Sequence, residues 1–218
     1  MALPFILASN SPRRRALLAE AGYEFEVIAP GVSEVAAAHL SLRELTIANA
    51  TRKGLAVSHV RPHRIVLAAD TLVALEGEII GKPRDLNHAR VMLRRLSGQT
   101  HDVCTGVCIV GPQKKISFAE MSQVRFCKLN ESAITNYFGV VNPIDKAGAY
   151  AAQGAGRSII ASVEGSFTNV IGLPMERTTE VLAQFGLCPV NVSRPQLPAR
   201  WPPLARARVS RLGTKTKR

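Results

Sequence analysis

Four short segments carry residue types that could do chemistry on an anion. In the first, Ser9-Asn10-Ser11-Pro12-Arg13-Arg14-Arg15, a serine–proline pair precedes three arginines. Ser favours the N-cap and Pro the first turn of a helix, whose free N–H groups and positive dipole end attract anions. Three cations in that turn oppose the dipole unless an anion offsets them, and guanidinium groups bind phosphate bidentately. The competing reading is a capped helix with a solvated basic turn. In the second segment, Asp70-Thr71 follows the apolar run Arg64-Ile65-Val66-Leu67-Ala68-Ala69. It reads as an acid at the carboxyl end of a strand, where open α/β sheets gather ligands. Such an acid can hold a divalent ion, orient water or bind turn amides.

The third segment is Gly81-Lys82-Pro83-Arg84-Asp85. Gly77 to Lys82 falls one residue short of a phosphate loop, and Pro83 stands where Ser or Thr belongs, which excludes that motif. Lys82 remains a point charge that can meet phosphate, and Lys53, inside a helical stretch, reads as a solvated face or a second such charge. The fourth, Asp145-Lys146-Ala147-Gly148-Ala149-Tyr150-Ala151-Ala152-Gln153-Gly154, is rich in small residues that let backbone approach a ligand. The Gln153 amide both donates and accepts and could read a base edge; a tight packed turn fits the spacing equally well. No His- or Cys-based triad and no dinucleotide fingerprint is present. The five histidines are scattered and read as structural or exposed.

The elements that must position these segments follow from pattern and punctuation. Residues 3–8 read as a buried strand, followed by a helix from Ser11-Pro12 with Leu17, Leu18 and Ala21 on one stripe and Gly22 as its stop. Glu24 to Ala29 reads as a strand, and Leu42 to Val60 as a helix with Leu45, Ala48, Leu55 and Val60 near one side. Arg64 to Ala69 reads as a central strand ending at Asp70. Val73 to Ile80 resembles a hairpin around Glu76-Gly77, and Asn87 is expected to cap a helix ending near Leu96. Two strands, Asp102 to Val110 and Ile116 to Leu129, flank Gly111-Pro112. A short helix over Glu131 to Phe138, a partly extended stretch over 148–164 and a helix over Pro174 to Phe185 complete the order. Strands and helices mixed without strict alternation predict an α/β domain with a mixed sheet.

Composition narrows the class. The chain has 218 residues, a net charge of +12 and four cysteines. Cys104 and Cys108 lie four residues apart on one expected strand, about 13 Å, too far for a disulfide. No window approaches a membrane span, and the apolar start, Met1 to Leu7, is too short and lacks the basic flank of a secretory signal. The expectation is a cytoplasmic protein with reduced thiols. Asn49-Ala50-Thr51, Asn130-Glu131-Ser132 and Asn191-Val192-Ser193 match the glycosylation pattern, a chance match without export. Residues 187–218 hold eight cations, no acid and five of the thirteen prolines. They read as a disordered basic tail on a domain spanning 1–186, able to make weak, salt-dependent contact with nucleic acid or to act as an inert solubilising extension. The body itself is mildly basic, which suits an anionic substrate.

Taken in order, Ile6-Leu7-Ala8-Ser9-Asn10-Ser11-Pro12-Arg13-Arg14, Ala69-Asp70-Thr71, Gly81-Lys82-Pro83, Leu96-Ser97-Gly98, Thr105-Gly106-Val107, Asp145-Lys146-Ala147-Gly148-Ala149-Tyr150 and Gly172-Leu173-Pro174 resemble the Maf family of nucleoside triphosphate pyrophosphatases. The resemblance covers residues 5 to about 186. It implies a mixed sheet flanked by helices around a central nucleotide-binding cleft, similar to inosine triphosphatase folds, often in a homodimer. It also implies hydrolysis of a nucleoside triphosphate to monophosphate and pyrophosphate with a divalent cation, Mg²⁺ or Mn²⁺. By motif match, Asp70 takes the catalytic acid/base position. Ser9, Arg13, Arg14, Lys53 and Lys82 take phosphate-side positions, and Glu34 joins Asp70 as a metal-side acid. Arg13, Thr71 and Gln153 match the specificity positions of the branch acting on dTTP and UTP. The branch acting on 7-methyl-GTP differs there, with Trp after the Ser-Pro and Glu in place of the Gln. Two departures stand out: Ser166 replaces an acid common before Phe167, and Gly54 stands where Ala is usual.

In the expected reaction, Asp70 orients or deprotonates a water that attacks the α-phosphorus, and cations stabilise the leaving pyrophosphate. Two other functions compete: a nucleotide-binding regulator of cell division that lacks turnover, and a pyrophosphatase for modified purine nucleotides.

Overall fold

The computed structural model describes residues 4–37 and 39–190. Seven strands form one mixed sheet: β1 (Phe5–Ala8), β2 (Phe25–Val27), β3 (Val66–Leu75), β4 (Glu78–Ile80), β5 (Thr100–Val110), β6 (Lys115–Phe126) and β7 (Ile160–Glu164). Their order is β2-β1-β3-β5-β6-β7, with β4 beside β3. The β2-β1-β3 portion is parallel and every other pairing is antiparallel. The helices are α1 (Pro12–Glu20), α2 (Leu42–Val60), α3 (Leu86–Leu96), α4 (Glu131–Val140), α5 (Phe167–Ile171) and α6 (Met175–Gln184). Tight 3₁₀ turns occupy Ala147–Ala149 and Gly154–Ile159. The expected mixed α/β architecture is present, and no described helix is long and apolar enough to cross a membrane.

Strand periodicity sorts the core into two faces. Phe5, Leu7, Leu67, Ala69, Val107 and Ile109 join the large cluster that α1, α3, α4, α5 and α6 cover through Leu17, Leu93, Ile134, Phe167 and Leu182. The alternate residues, Ile6, Ala8, Val66 and Ala68, pack with Val57 of α2, and Cys108 and Val110 pack with Ala50 of the same helix. One helix thus covers one face. Each large side chain buried this way contributes about 1.5–3 kcal/mol.

This alternation decides where the chemistry points. Asp70 continues the series Val66, Ala68 and so falls on the α2 face, whereas Thr71 falls on the opposite face. Asp70 is not at a strand end, as the apolar run alone suggested. β3 runs through it to Leu75 because β5 supplies partners all along, with Asp70 opposite Gly106 and Thr71 opposite Thr105. On the other edge of β3, β1 stops opposite Ala68 and β4 ends opposite Val73. Ala69 to Leu72 have no strand there, so the acid still lies just past the carboxyl end of β1.

Other expectations need adjustment. Of the expected α2 stripe only Leu45 is buried; Ala48 is half-buried, and Leu55 and Val60 are exposed. The rest of the buried side is Thr46, Asn49, Ala50, Lys53, Gly54 and Val57, a small and polar face. Gly106 explains the tight fit, since a Cβ there would come within 2.3–2.5 Å of the Thr46–Ile47 backbone. α3 is capped by Asp85, which accepts from the His88 N–H at 2.7 Å, so Asn87 lies inside the helix. The Glu76-Gly77 hairpin is present with both residues at positive φ, 52° and 80°, as a two-residue turn requires. The short helix α5 had no expectation. Its N-cap is Ser166, whose Oγ accepts from the Asn169 N–H at 3.2 Å, the capping job an acid would also do. The segment expected to be a disordered tail from 187 begins in contact with the body: Leu187 packs on the core and the Val190 N–H donates to Gly22 O at 2.9 Å. Residues 191–218, and the expectations placed on them, lie outside the described residues.

Candidate active site

One cleft of about 770 Å³ lies beyond the carboxyl end of β1, within the size range of small-molecule sites. Its walls come from the β1–α1 loop, the 30–34 segment, Lys53 of α2, the middle of β3, Gly81-Lys82, residues 145–152 and the α5 end at Val170–Gly172. Ser9, Arg13, Arg14, Glu34, Lys53, Asp70, Thr71 and Lys82 all line it. Gln153 does not; it is half-buried and follows the lining residue Ala152.

Asp70 is only 3% exposed and both of its oxygens are engaged. Lys53 Nζ donates to Oδ1 at 2.6 Å and Asn49 Nδ2 donates to Oδ2 at 3.1 Å. Lys53 and Asn49 lie four residues apart on α2, one turn, and so share a face. The same ammonium donates to Glu34 Oε1 at 2.6 Å, bridging the two carboxylates. Lys53 is therefore not the solvated lysine its sequence context suggests. Burial alone would push the Glu34 carboxyl up. The hydrogen bond and charge of Lys53, with help from Asp70 and the charge of Lys82, outweigh burial and bring it below the ordinary range.

On the opposite face of β3, Thr71 joins a second network. Arg14 is buried and its guanidinium spans three elements: Nε donates to Gly172 O at 2.8 Å, Nη1 to Ser9 Oγ at 3.1 Å and Nη2 to Thr71 Oγ1 at 3.0 Å. Thr71 Oγ1 also lies 2.9 Å from Thr105 Oγ1, which donates to Asn169 O at 3.1 Å. Burial is the main influence on Arg14 and lowers it to about 10, with Asp70 partly restoring it. Three of its five N–H groups are committed within the protein, so it braces the site as well as lending charge to it.

The outer rim is different in kind. Lys82 is exposed, and Arg13 Nη1 stands 3.5 Å from Asp145 Oδ2, itself bonded to Lys146. The far wall is held by rings. Tyr150 lines the cleft and its hydroxyl lies 2.9 Å from His101 Nε2. Phe126 meets both rings edge-on with centroids 4.9 Å away. The Tyr137 hydroxyl accepts from the Ala151 N–H at 3.0 Å. Burial lowers His101 to about 4, so this residue is a neutral part of the wall.

Glu34 and Asp70 are hard oxygen donors, and a positive charge already sits between them as Lys53 Nζ. No cluster of three or more His, Cys, Asp and Glu able to hold a metal occurs among the described residues. Two carboxylates suit Mg²⁺ or Mn²⁺ shared with substrate phosphates and water, and do not suit an all-protein cage.

Reading residues alone gave no role to Asn49 or Asn169, and took Thr105 and Gly106 only as part of a matching stretch. Asn49 was visible only as a glycosylation match, and at 2% exposure it is inaccessible to that modification. Its spacing of four from Lys53, on a helix whose apolar residues form a poor stripe, was the available signal.

A mixed-sheet α/β protein with a buried carboxylate behind a cationic rim belongs among enzymes and binders of polyphosphate ligands. Residues 4–185 match the model of the Maf-like protein family, and the chain belongs to that family. It is 46% identical over 181 residues to a dTTP/UTP pyrophosphatase of Symbiobacterium thermophilum, covering 83% of this chain and 93% of that one. It is 45% identical over 183 residues to a dTTP/UTP pyrophosphatase of Akkermansia muciniphila, covering 84% and 97%. The solved structure of the Staphylococcus aureus Ham1 protein is a distant likeness, with TM-score 0.45 and 15% identity over 83% of this chain and 96% of that one.

Proposed function

We propose that this protein hydrolyses dTTP and UTP to the nucleoside monophosphate and pyrophosphate. The observation that carries the reading is the buried Asp70 carboxylate, clamped by Lys53 and Asn49, at the inner end of a cleft rimmed by Arg13 and Lys82. Relatives named for this activity, 45–46% identical over nearly their whole length, support it. The four free cysteines suit a reducing cytoplasm.

The chain's own groups account for the steps. Lys82, Arg13 and the remaining donor of Lys53 meet a triphosphate of about four negative charges, and the Ser9–Arg14 loop offers the α1 N-terminus. Each Asp70 oxygen keeps a second lone pair beyond its bond to Lys53 or Asn49. Through one of these, Asp70 accepts the proton of a water as its oxygen bonds to the α-phosphorus. The bond from that phosphorus to the β-bridging oxygen breaks, and pyrophosphate leaves against the rim cations. A divalent cation held by Glu34 and Asp70 would supply further charge neutralisation on the phosphates. Base choice rests with the wall formed by Thr71, Ala151 and Ala152, with Gln153 next in sequence.

The test is pyrophosphate release from dTTP, UTP, CTP, GTP, ATP and 7-methyl-GTP with Mg²⁺ or Mn²⁺. dTTP and UTP should be cut fastest. Faster cleavage of 7-methyl-GTP or a modified purine nucleotide would overturn the substrate assignment. Tight binding without release would make the protein a binder.

A further inference from the structure

Two side chains of α2 reach both Asp70 and the segment that carries Glu34. Lys53 does so through its charge. Asn49 does so through directional bonds: Nδ2 donates to Asp70 Oδ2 at 3.1 Å and to Val35 O at 3.3 Å, while Oδ1 accepts from the Val35 N–H at 2.7 Å. Val35 lies in a stretch without regular structure, between β2 and α2, where backbone polar groups need outside partners. The Asn49 amide supplies partners for both backbone groups of this one residue, as a neighbouring strand would. Asn49 is buried and does not line the cleft. It is therefore in contact with a reacting group and with a wall, yet out of reach of a ligand.

We propose that Asn49 is a positioning residue for the reaction, locking the Asp70 carboxylate and the Glu34-bearing segment into one fixed relation. The inference rests on the hydrolase reading above for its kinetic consequence, while its structural consequence stands alone. α2 itself is held at the distance this requires by Gly106, and the Thr46, Asn49–Ala50, Lys53–Gly54, Val57 face is the one that sits on β3 and β5. A carboxylate oxygen fixed by a directional donor loses rotational freedom, and small misplacements of reacting groups are costly in rate. Since Asn49 touches no ligand, its loss should act on the chemical step and not on substrate affinity.

Two variants separate its contacts. Asn49→Ala removes all three bonds. Asn49→Asp keeps an acceptor for the Val35 N–H but replaces the amide that donates to Asp70 and to Val35 O with a repelling oxygen. Amide hydrogen exchange of Val35 and steady-state dTTP hydrolysis are measured on the full chain, with the thermal transition as a check on folding. In wild type, the Val35 amide should be protected although its segment has no regular structure. Asn49→Ala should lose that protection and lose about 10- to 100-fold in kcat, with KM within about threefold. Asn49→Asp should keep the protection and lose at least as much kcat. An unprotected Val35 amide in wild type would overturn the proposal even if neither variant folds. So would a folded Asn49→Ala protein with wild-type kcat, or one whose loss appears only in KM. Absence of pyrophosphate release by wild type would sink the hydrolase reading instead, and the exchange data would then decide the lock by themselves.

Discussion

The two walls of the cleft are built from opposite materials. The inner wall, on α2, β3 and the β1–α1 loop, is a lattice of charges and amides in which buried Lys53 bridges buried Asp70 to the half-exposed Glu34 of the 30–34 segment, and buried Arg14 ties Ser9, Thr71 and Gly172 together. The far wall, at 147–152, is held by neutral rings, with Tyr150 against His101 and Phe126. Buried charges are costly unless paired, so the inner wall tolerates no loss of a partner but holds its groups in a defined geometry. The aromatic wall gains from area and edge-to-face packing and needs no charge to stay put. In the proposed reaction the reacting groups sit on the first kind of wall, and a surface for an uncharged ring system suits the second.

Four perturbations should separate the walls. The largest effect is expected from Asp70→Asn, which keeps size but removes the proposed base and turns an NH2 group toward one of two donors, Lys53 Nζ or Asn49 Nδ2. kcat should fall by about 10²–10⁴-fold while the circular dichroism spectrum is retained. Near-wild-type turnover would remove the inner wall from the chemistry.

The second perturbation is acid. Folded His101 stays neutral down to about pH 4, whereas in the unfolded chain it takes up a proton near 6.5. The unfolded state thus binds more protons between these values. The stability linked to His101 is complete above about pH 6.5 and is lost as pH falls to 4, by up to about 3 kcal/mol. Denaturant unfolding of wild type and His101→Gln across this range should show a shallower acid-side decline in the variant. Equal slopes would mean that the far wall accepts a charged ring.

Third, Gly106→Ala should force α2 off the sheet and destabilise the protein by about 1–3 kcal/mol. It should also reduce kcat, because Asn49 and Lys53 move with the helix, and should leave the His101-dependent acid slope unchanged. An unaffected kcat in a destabilised protein would uncouple α2 packing from the site. Smallest is Lys82→Ala at the exposed rim, where a KM increase of about tenfold at nearly constant kcat is expected. The wild-type advantage should shrink with added salt. A loss confined to kcat would place Lys82 at the reacting phosphorus instead.

Much of the fold was legible because its signals are local. The Ser11-Pro12 helix start, the Glu76-Gly77 turn and the alternating β3 and β5 residues each announce themselves within a few positions. The site was legible as an ordered set of motifs, yet its wiring was not. α2 misled because, beyond Leu45, its buried face is Thr46, Asn49, Ala50, Lys53, Gly54 and Val57, chosen for close approach and polar contact and not for apolar area. Asp70 looked like the end of a strand because the apolar run stops there, while the strand's continuation depends on β5, over thirty residues away in sequence. The bracing role of Arg14 was hidden because nothing local reveals Gly172 as its partner.

The most direct measurement is hydrolysis of dTTP by the wild-type protein in ¹⁸O-labelled water, with every product identified by mass. The expected result is one pyrophosphate per dTMP, with the label in the dTMP phosphate, as water attack at the α-phosphorus requires. Label in pyrophosphate, or dTDP with orthophosphate as products, would contradict the assignment of the reacting bond to the place where Asp70 can deliver water.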